Sequence, residues 1–137
     1  MSKWICKGWE LPSVKADPPA ERFLKMIYSP EVNDYKNATV LFSYIPPGST
    51  SGIHAHPDSD EIMYFLGRGE ATLGDEKVKI ENDLVVLAPK GVDHEARNTS
   101  DTETLKVFCV FIPPLKPTEL LAKAAQIRRE KIQDNLQ

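Results

Sequence analysis

Short apolar runs separated by Pro, Gly, Asn and Asp fill most of the chain up to residue 112. They are rich in β-branched and aromatic residues, a pattern typical of strands bounded by turns. The clearest runs lie at residues 23–28, 39–45, 61–66, 77–80, 84–88 and 104–112. Gly74-Asp75 stands between 70–73 and 77–80, where it predicts a tight hairpin turn. Closely spaced short strands of this kind predict an all-β sandwich or barrel.

The C-terminal segment alone has a helical composition. Residues 117–134 are rich in Ala, Leu, Lys, Arg, Glu and Gln, which are good helix formers. Thr118 is a candidate N-cap, and Glu119 suits the first turn of a helix. We therefore expect one helix, over about 117–134, after the last strand.

Three of the predicted strands are apolar on both faces, at residues 61–66, 84–88 and 107–112. A two-layer sandwich buries only one face of each sheet, so its strands normally alternate apolar with polar residues. The second apolar face needs a cover, either the N-terminal arm with Trp4 and Trp9 or another subunit. Of these alternatives we favour the second, a homodimer.

Length and charge narrow the range of functions. The chain has 137 residues, which is the size of one domain. Its 17 Lys and Arg against 20 Asp and Glu give a net charge of −3, so there is no basic excess to bind a nucleic acid. The longest apolar runs are about six residues, far below the roughly 20 that span a membrane.

The N-terminal sequence and the cysteines indicate the compartment. The segment MSKWICKGWELPS lacks an apolar stretch of signal-peptide length. Cys6 and Cys109 do not make a disulfide framework, and Cys109 fits a small residue in the core of a strand. We predict a cytoplasmic protein that binds neither nucleic acid nor membrane.

The three histidines of the chain fall into one constellation with a carboxylate. His54 and His56 are two residues apart, so on a strand their imidazoles project to the same side. A turn at 57–60 returns Glu61 towards them, and a second turn precedes His94. Three imidazoles and a carboxylate form a mixed N/O site that suits a divalent transition metal. Isolated histidines are more often ordinary core or surface residues, but their joint placement favours a metal site.

The spacing within residues 48–69 matches a known motif. Gly48 is followed by five residues, then by His54 and His56 with one residue between them, and Glu61 comes after four more. This segment resembles the first motif of the cupin superfamily. The glycine that the family places after the glutamate is replaced here by an arginine with a glycine on each side.

A second segment, residues 83–98, has a matching pattern. Pro89 and Gly91 are separated by one residue, His94 follows after two more, and Asn98 after another three. This resembles the second cupin motif, in which Asn98 is the usual terminal asparagine. The family's opening glycine is Asp83 in this chain.

The resemblance implies a single cupin domain over residues 1–137, with the architecture of small single-domain microbial cupins. Its fold is a double-stranded β-helix, that is, a jelly-roll barrel, here followed by the C-terminal α-helix. The resemblance also implies that His54, His56, Glu61 and His94 are the ligands of one divalent transition metal per chain. This ligand set favours Mn or Fe, with Ni, Zn, Co and Cu as alternatives.

Parity along the strands adds candidates for a substrate pocket. Met63 and Phe65 share the face of Glu61 and are expected to line the barrel. By the same rule Asn98 shares the face of His94.

Four further side chains are weaker candidates. The sequence does not decide which face of 39–45 points inward, and if Tyr44 does, its hydroxyl is a candidate proton donor. Glu61 is a candidate base if it leaves the metal. Arg68 and Lys90 flank the motifs, where they meet either an anionic substrate or only solvent.

Four protein ligands leave one or two positions open on a five- or six-coordinate metal, which catalysis requires. We therefore expect a metal-dependent enzyme that acts on a small oxygenated organic molecule. The resemblance implies a dioxygenase, decarboxylase, isomerase or lyase, and the apolar barrel interior slightly favours a dioxygenase. The alternatives are a non-enzymatic ligand-binding cupin and a structural cupin whose metal stiffens the barrel.

Overall fold

The computed structural model describes residues 3–136, and their side chains up to residue 134. In chain order it contains a 3₁₀ turn at Gly8–Glu10, β1 (Val14–Ala16), β2 (Arg22–Tyr28), α1 (Pro30–Asn33), β3 (Thr39–Ile45), β4 (Asp60–Leu66), β5 (Gly69–Leu73), β6 (Glu76–Ile80), β7 (Val85–Ala88), β8 (His94–Arg97), β9 (Leu105–Ile112) and α2 (Glu119–Leu136). The all-β prediction with a C-terminal helix is confirmed.

The strands form two antiparallel sheets. The larger has the order β1-β2-β3-β9-β4-β7, and the smaller has the order β6-β5-β8. Ile45, Phe65 and Leu105 of the larger sheet share one core with Ala71 and Ile80 of the smaller. Because strands distant in the chain pair with one another, as β3 does with β9 and β5 with β8, the fold is the predicted jelly roll.

The structure shows which face of strand β3 points into the barrel, a choice that the sequence did not decide. Leu41, Ser43 and Ile45 are buried, whereas Phe42 and Tyr44 between them are only partly buried. Side chains alternate along a strand, so Tyr44 points away from the barrel interior.

The N-terminal arm covers part of the outer face of the larger sheet. Leu11 packs with Ile27, Ala38 and Val40 in a second, smaller core. Trp4 and Trp9, expected in this cover, are instead 55% and 81% exposed. The remaining apolar side chains on β4, β7 and β9, which we call the outer strip, are exposed. The outer strip consists of Ile62, Leu66, Val85, Leu87 and Ile112.

Helix α2 packs across β2, β1 and α1. Its predicted N-cap is confirmed, since the Leu121 amide donates to the Thr118 hydroxyl at 3.3 Å. Arg128 is buried and donates to the carbonyl oxygens of Ile27 and Ile5, which ties the helix to the sheet and to the N-terminal arm. Within residues 3–136, no helix combines the length and the apolar character that a membrane crossing would need.

Of the two departures from the family's glycine pattern, Asp83 keeps the backbone that glycine favours, and Arg68 lies between two glycines. Asp83 has a φ of 76°, in the left-handed region that Asp tolerates better than most residues. Beside Arg68, Gly67 has a φ of 128°. A Cβ on Gly69 would lie 2.0 Å from the Arg97 carbonyl oxygen, so that position also requires glycine.

Candidate metal centre

The structure brings together all four side chains that the sequence predicts as metal ligands. His54 and His56 lie in the loop between β3 and β4, Glu61 lies on β4, and His94 begins β8. One ligand atom from each lies within 4.8 Å of all the others. Glu61 and His94 are buried, and His54 and His56 are partly buried. Four donors at this separation are close enough to share one ion.

Backbone contacts hold the two motifs side by side. His54 and His94 form an isolated antiparallel bridge between the loop and β8. The Gly91 amide donates to the His56 carbonyl oxygen at 2.9 Å, and the Lys90 amide donates to Asp60 at 3.0 Å. The loop that carries two ligands is therefore fixed to the turn before the fourth.

Two of the imidazoles are oriented by carbonyl oxygens of their own loops. The Nδ1 atom of His54 lies 2.8 Å from the Gly52 oxygen, and that of His94 lies 3.0 Å from the Val92 oxygen. A carbonyl can only accept, so each Nδ1 carries the proton and donates it. In the neutral ring Nε2 then holds the lone pair, as a metal ligand does.

The contacts around Glu61 fit a bound cation. His94 Nε2 lies 2.9 Å from Glu61 Oε1, and His56 Nε2 lies 3.2 Å from the same oxygen. The His56 Nε2 atom is nevertheless buried without a properly aligned hydrogen bond. Buried polar atoms without partners are rare. The orphaned nitrogen and the N₃O donor set therefore fit a divalent transition metal.

Proton affinities within the group follow from the same contacts. Burial alone would raise the pKa of Glu61, but the adjacent His56 and His94 imidazoles outweigh it and hold the pKa at about 2. Burial lowers the pKa of His54 more than its bond to the Gly52 oxygen raises it. Burial also acts to lower the pKa of His94, but its contacts with Glu61 and the Val92 oxygen dominate and raise it. The carboxylate is therefore ionised at neutral pH, as a metal ligand must be.

The four side chains open into a cavity of about 340 Å³ inside the barrel. This volume suits a small molecule. Most of the wall is apolar and comes from the larger sheet and from the start of α2. It is lined, apart from the four ligands, by Arg22, Leu24, Leu41, Ser43, Ile45, Ser51, Met63, Ala96, Val107, Cys109, Phe111, Leu115, Thr118, Leu120 and Leu121.

Met63 lies in this wall, but three other proposed site residues do not. Phe65 is fully buried in the core beyond the cavity. Tyr44 lies on the outer face of its sheet, next to Phe42, so it is not placed to donate a proton in the cavity. The side-chain amide of Asn98 donates to the carbonyl oxygens of Ile45 and Glu103. Asn98 therefore links the end of β8 to the neighbouring chain segments and does not contact the cavity.

Arg22 lines the cavity and was not among the predicted site residues. It begins β2 and shares a strand face with Leu24 and Met26, both of which are buried. A cation at an inward position of a strand is the signal that would have identified it.

Cys109 also lies in the cavity wall, and its side chain is buried. Burial and the neighbouring Glu61 carboxylate raise the pKa of its thiol well above the ordinary value. It remains a neutral thiol at physiological pH, in agreement with its predicted role as a small core residue.

The comparison with known proteins identifies the family. The family model described as Cupin domain matches residues 41–111, more than half of the chain. The chain belongs to the cupin family.

Similar proteins and structures match different shares of the chain. An uncharacterized protein of Methanocaldococcus jannaschii is 33% identical over 94 residues, which are 65% of this chain and 74% of that protein. Protein SchB of Streptomyces halstedii is 36% identical over 74 residues, 53% of this chain and 52% of SchB. The crystal structure of a predicted oxalate decarboxylase from Thermotoga maritima has a TM-score of 0.72 at 25% identity, covering 80% of this chain and 98% of that one.

Proposed function

We propose that this protein is a mononuclear metalloenzyme that acts on a small oxygenated organic molecule. The observation that carries the proposal is that His54, His56, Glu61 and His94 converge in the wall of a cavity of about 340 Å³. A purely structural ion would need no adjoining space for a substrate.

Different residues of the cavity would have different roles in catalysis. The four converging side chains would hold Mn, Fe or a related divalent ion, which supplies a Lewis acid for an oxygen-bearing substrate. Leu24, Leu41 and Val107 keep the cavity largely free of competing polar groups, and exclusion of water strengthens electrostatic interactions inside it. Glu61 is the only acidic side chain in the wall among the described residues, so it is the candidate base of the site.

Two reaction classes have specific support. The apolar wall supports the dioxygenase that the sequence slightly favours. The similarity to the predicted oxalate decarboxylase of T. maritima supports decarboxylation of a small acid instead. The two reaction classes can be distinguished, because only a dioxygenase consumes dioxygen.

The test combines metal analysis with a substrate panel. Purified protein without a histidine tag is expected to hold close to one divalent ion per chain by elemental analysis. Turnover of 2-oxo acids, dicarboxylates, catechols and enediols is then measured with and without dioxygen. Activity that persists without dioxygen would exclude the dioxygenase.

A non-enzymatic ligand-binding cupin is the second candidate, and the apolar cavity supports it equally well. It predicts that panel compounds bind to the metal-loaded protein without being converted. A protein that retains its metal but binds none of the compounds would instead agree with the structural alternative.

A further inference from the structure

Arg22 is the one cationic side chain in the cavity wall among the described residues. Its Nε atom is buried and has no hydrogen-bond partner. None of the ion pairs formed within residues 3–136 includes it, and the neighbouring Glu21 pairs with Lys15 instead. Arg22 is therefore a partly buried residue of the cavity wall whose Nε has no partner from the protein.

A cation that is partly removed from water without a counter-charge is destabilised. Removal of a charge from water is compensated only where a counter-charge or hydrogen bonds replace the lost hydration. Burial lowers the pKa of Arg22, and the negative charge of Glu61 offsets this only in part. Arginine nevertheless remains protonated throughout the physiological range.

The cavity wall offers the guanidinium no free anionic partner among the described residues. Most of the cavity wall is apolar, and Glu61, its one acidic side chain among the described residues, is already shared by two imidazoles. A divalent ion bound by Glu61 would leave an excess positive charge at that end of the cavity. With Arg22, the loaded cavity would then contain two positive centres and no free anion.

We propose that Arg22 binds the carboxylate of the substrate, which makes the substrate a small carboxylic acid with a second oxygen group for the metal. The inference rests on the proposed function, because it takes the metal site to be the second point of attachment. A guanidinium presents paired N–H donors that match a carboxylate. Such a ligand would satisfy the buried Nε and neutralise the excess charge in one step.

The probe pair is pyruvate and its neutral analogue pyruvamide, which have nearly the same shape. Each has a keto oxygen for the metal, next to a carboxylate in pyruvate and a carboxamide in pyruvamide. Binding to the metal-loaded protein is measured by calorimetry, and the metal content of every variant is determined alongside. Arg22→Gln is expected to weaken pyruvate binding by about tenfold or more. The metal content and the affinity for pyruvamide are expected to stay within about twofold of wild type.

Arg97→Gln is the matched control, because Arg97 is exposed on β8 and does not line the cavity. It is expected to bind pyruvate as wild type does. Arg22→Lys keeps the charge without the paired donors and is expected to recover only part of the affinity. If Arg22→Gln does not fold, Arg22→Lys still tests the inference through its affinity for pyruvate relative to pyruvamide.

Failure of the inference and failure of the proposed function give different results. Arg22 variants that hold the metal and bind pyruvate as tightly as wild type would overturn the inference alone. The same holds if the metal-loaded wild type binds pyruvamide as well as pyruvate, or binds neither. A wild-type protein without a bound metal would instead overturn the proposed function, and the role assigned to Arg22 with it.

Discussion

His54 and His94 are joined through their backbones, although 39 positions separate them in the sequence (94 − 54 − 1). The His54 amide donates to the His94 carbonyl oxygen at 3.1 Å, and the His94 amide donates to the His54 oxygen at 2.9 Å. Neither bond uses a side chain. The protein therefore positions the two imidazoles independently of any ion, and a variant that loses an imidazole keeps the contact between the two motifs.

Simultaneous replacement of His54 and His56 by alanine is expected to empty the metal site while the barrel still folds. Only Glu61 and His94 would remain, and two ligands hold a divalent ion weakly. Elemental analysis measures the metal, and far-ultraviolet circular dichroism measures the fold. Asp58→Ala is the control, since Asp58 is exposed in the same loop. Full metal occupancy in the double variant would contradict the assignment.

Metal occupancy is expected to fall as the pH drops below about 6.5, the pKa of free histidine. Protons compete with the ion for the imidazoles, so the loss is on the acidic side. Contact with Glu61 raises the pKa of His94 despite burial, so metal binding should release a proton at any pH where this imidazole is protonated. Calorimetry in buffers of different ionisation enthalpy measures that release. Occupancy unchanged between pH 7.5 and 5 would exclude imidazole ligands.

Glu61→Gln separates a catalytic site from a structural one. Three imidazoles remain, so the variant is expected to keep weak metal binding, but it loses the negative charge and the candidate base. If the site is catalytic, the variant should therefore lose more of its turnover than of its metal content. If the site is only structural, the substitution should lower the melting temperature of the protein and there is no turnover to lose. Glu76→Gln is the control, because Glu76 is exposed on β6. Turnover that falls only in proportion to metal content would remove Glu61 from the chemistry.

The fold and the metal ligands could be predicted because both depend on local spacing. Strand alternation and turn residues located most of the strands, and the His-x-His and glutamate spacing located three of the four metal ligands. The short elements β1 and α1 were missed. They contain only three and four residues, too few for a periodic pattern to emerge.

Residues whose role depends on orientation could not be assigned from the sequence. Both faces of β3 contain apolar residues, so parity did not decide where Tyr44 points. Phe65 shares the face of Met63, but two residues further along the strand it lies beyond the cavity and in the core. Arg22 shows the reverse case, because a single charged residue before an apolar strand resembles an ordinary strand end.

Asp83 is expected to be replaceable by glycine but not by alanine. Its φ of 76° is strained for alanine, at a cost of about 1 kcal/mol. The Tyr64 hydroxyl donates to the Asp83 carboxylate, and both substitutions lose this contact, so the difference between them isolates the backbone term. Urea denaturation measures the free energy of unfolding, with Tyr64→Phe as the control for the lost hydrogen bond. Equal stability of the alanine and glycine variants would contradict the explanation.

The outer strip is expected to form a homodimer interface. Ile62 pairs across the sheet with Leu87, and with the rest of the strip they form an exposed apolar surface that the N-terminal arm leaves uncovered. Patches of this kind mark interaction sites in many proteins. Light scattering at micromolar concentration should give about twice the 15.4 kDa of one chain. Leu87→Lys should shift the protein towards the monomer, whereas Val78→Lys, on an exposed strand of the smaller sheet, should not. A wild type that stays monomeric would show that the strip is exposed in solution and that the double-sided apolar strands do not require a second subunit.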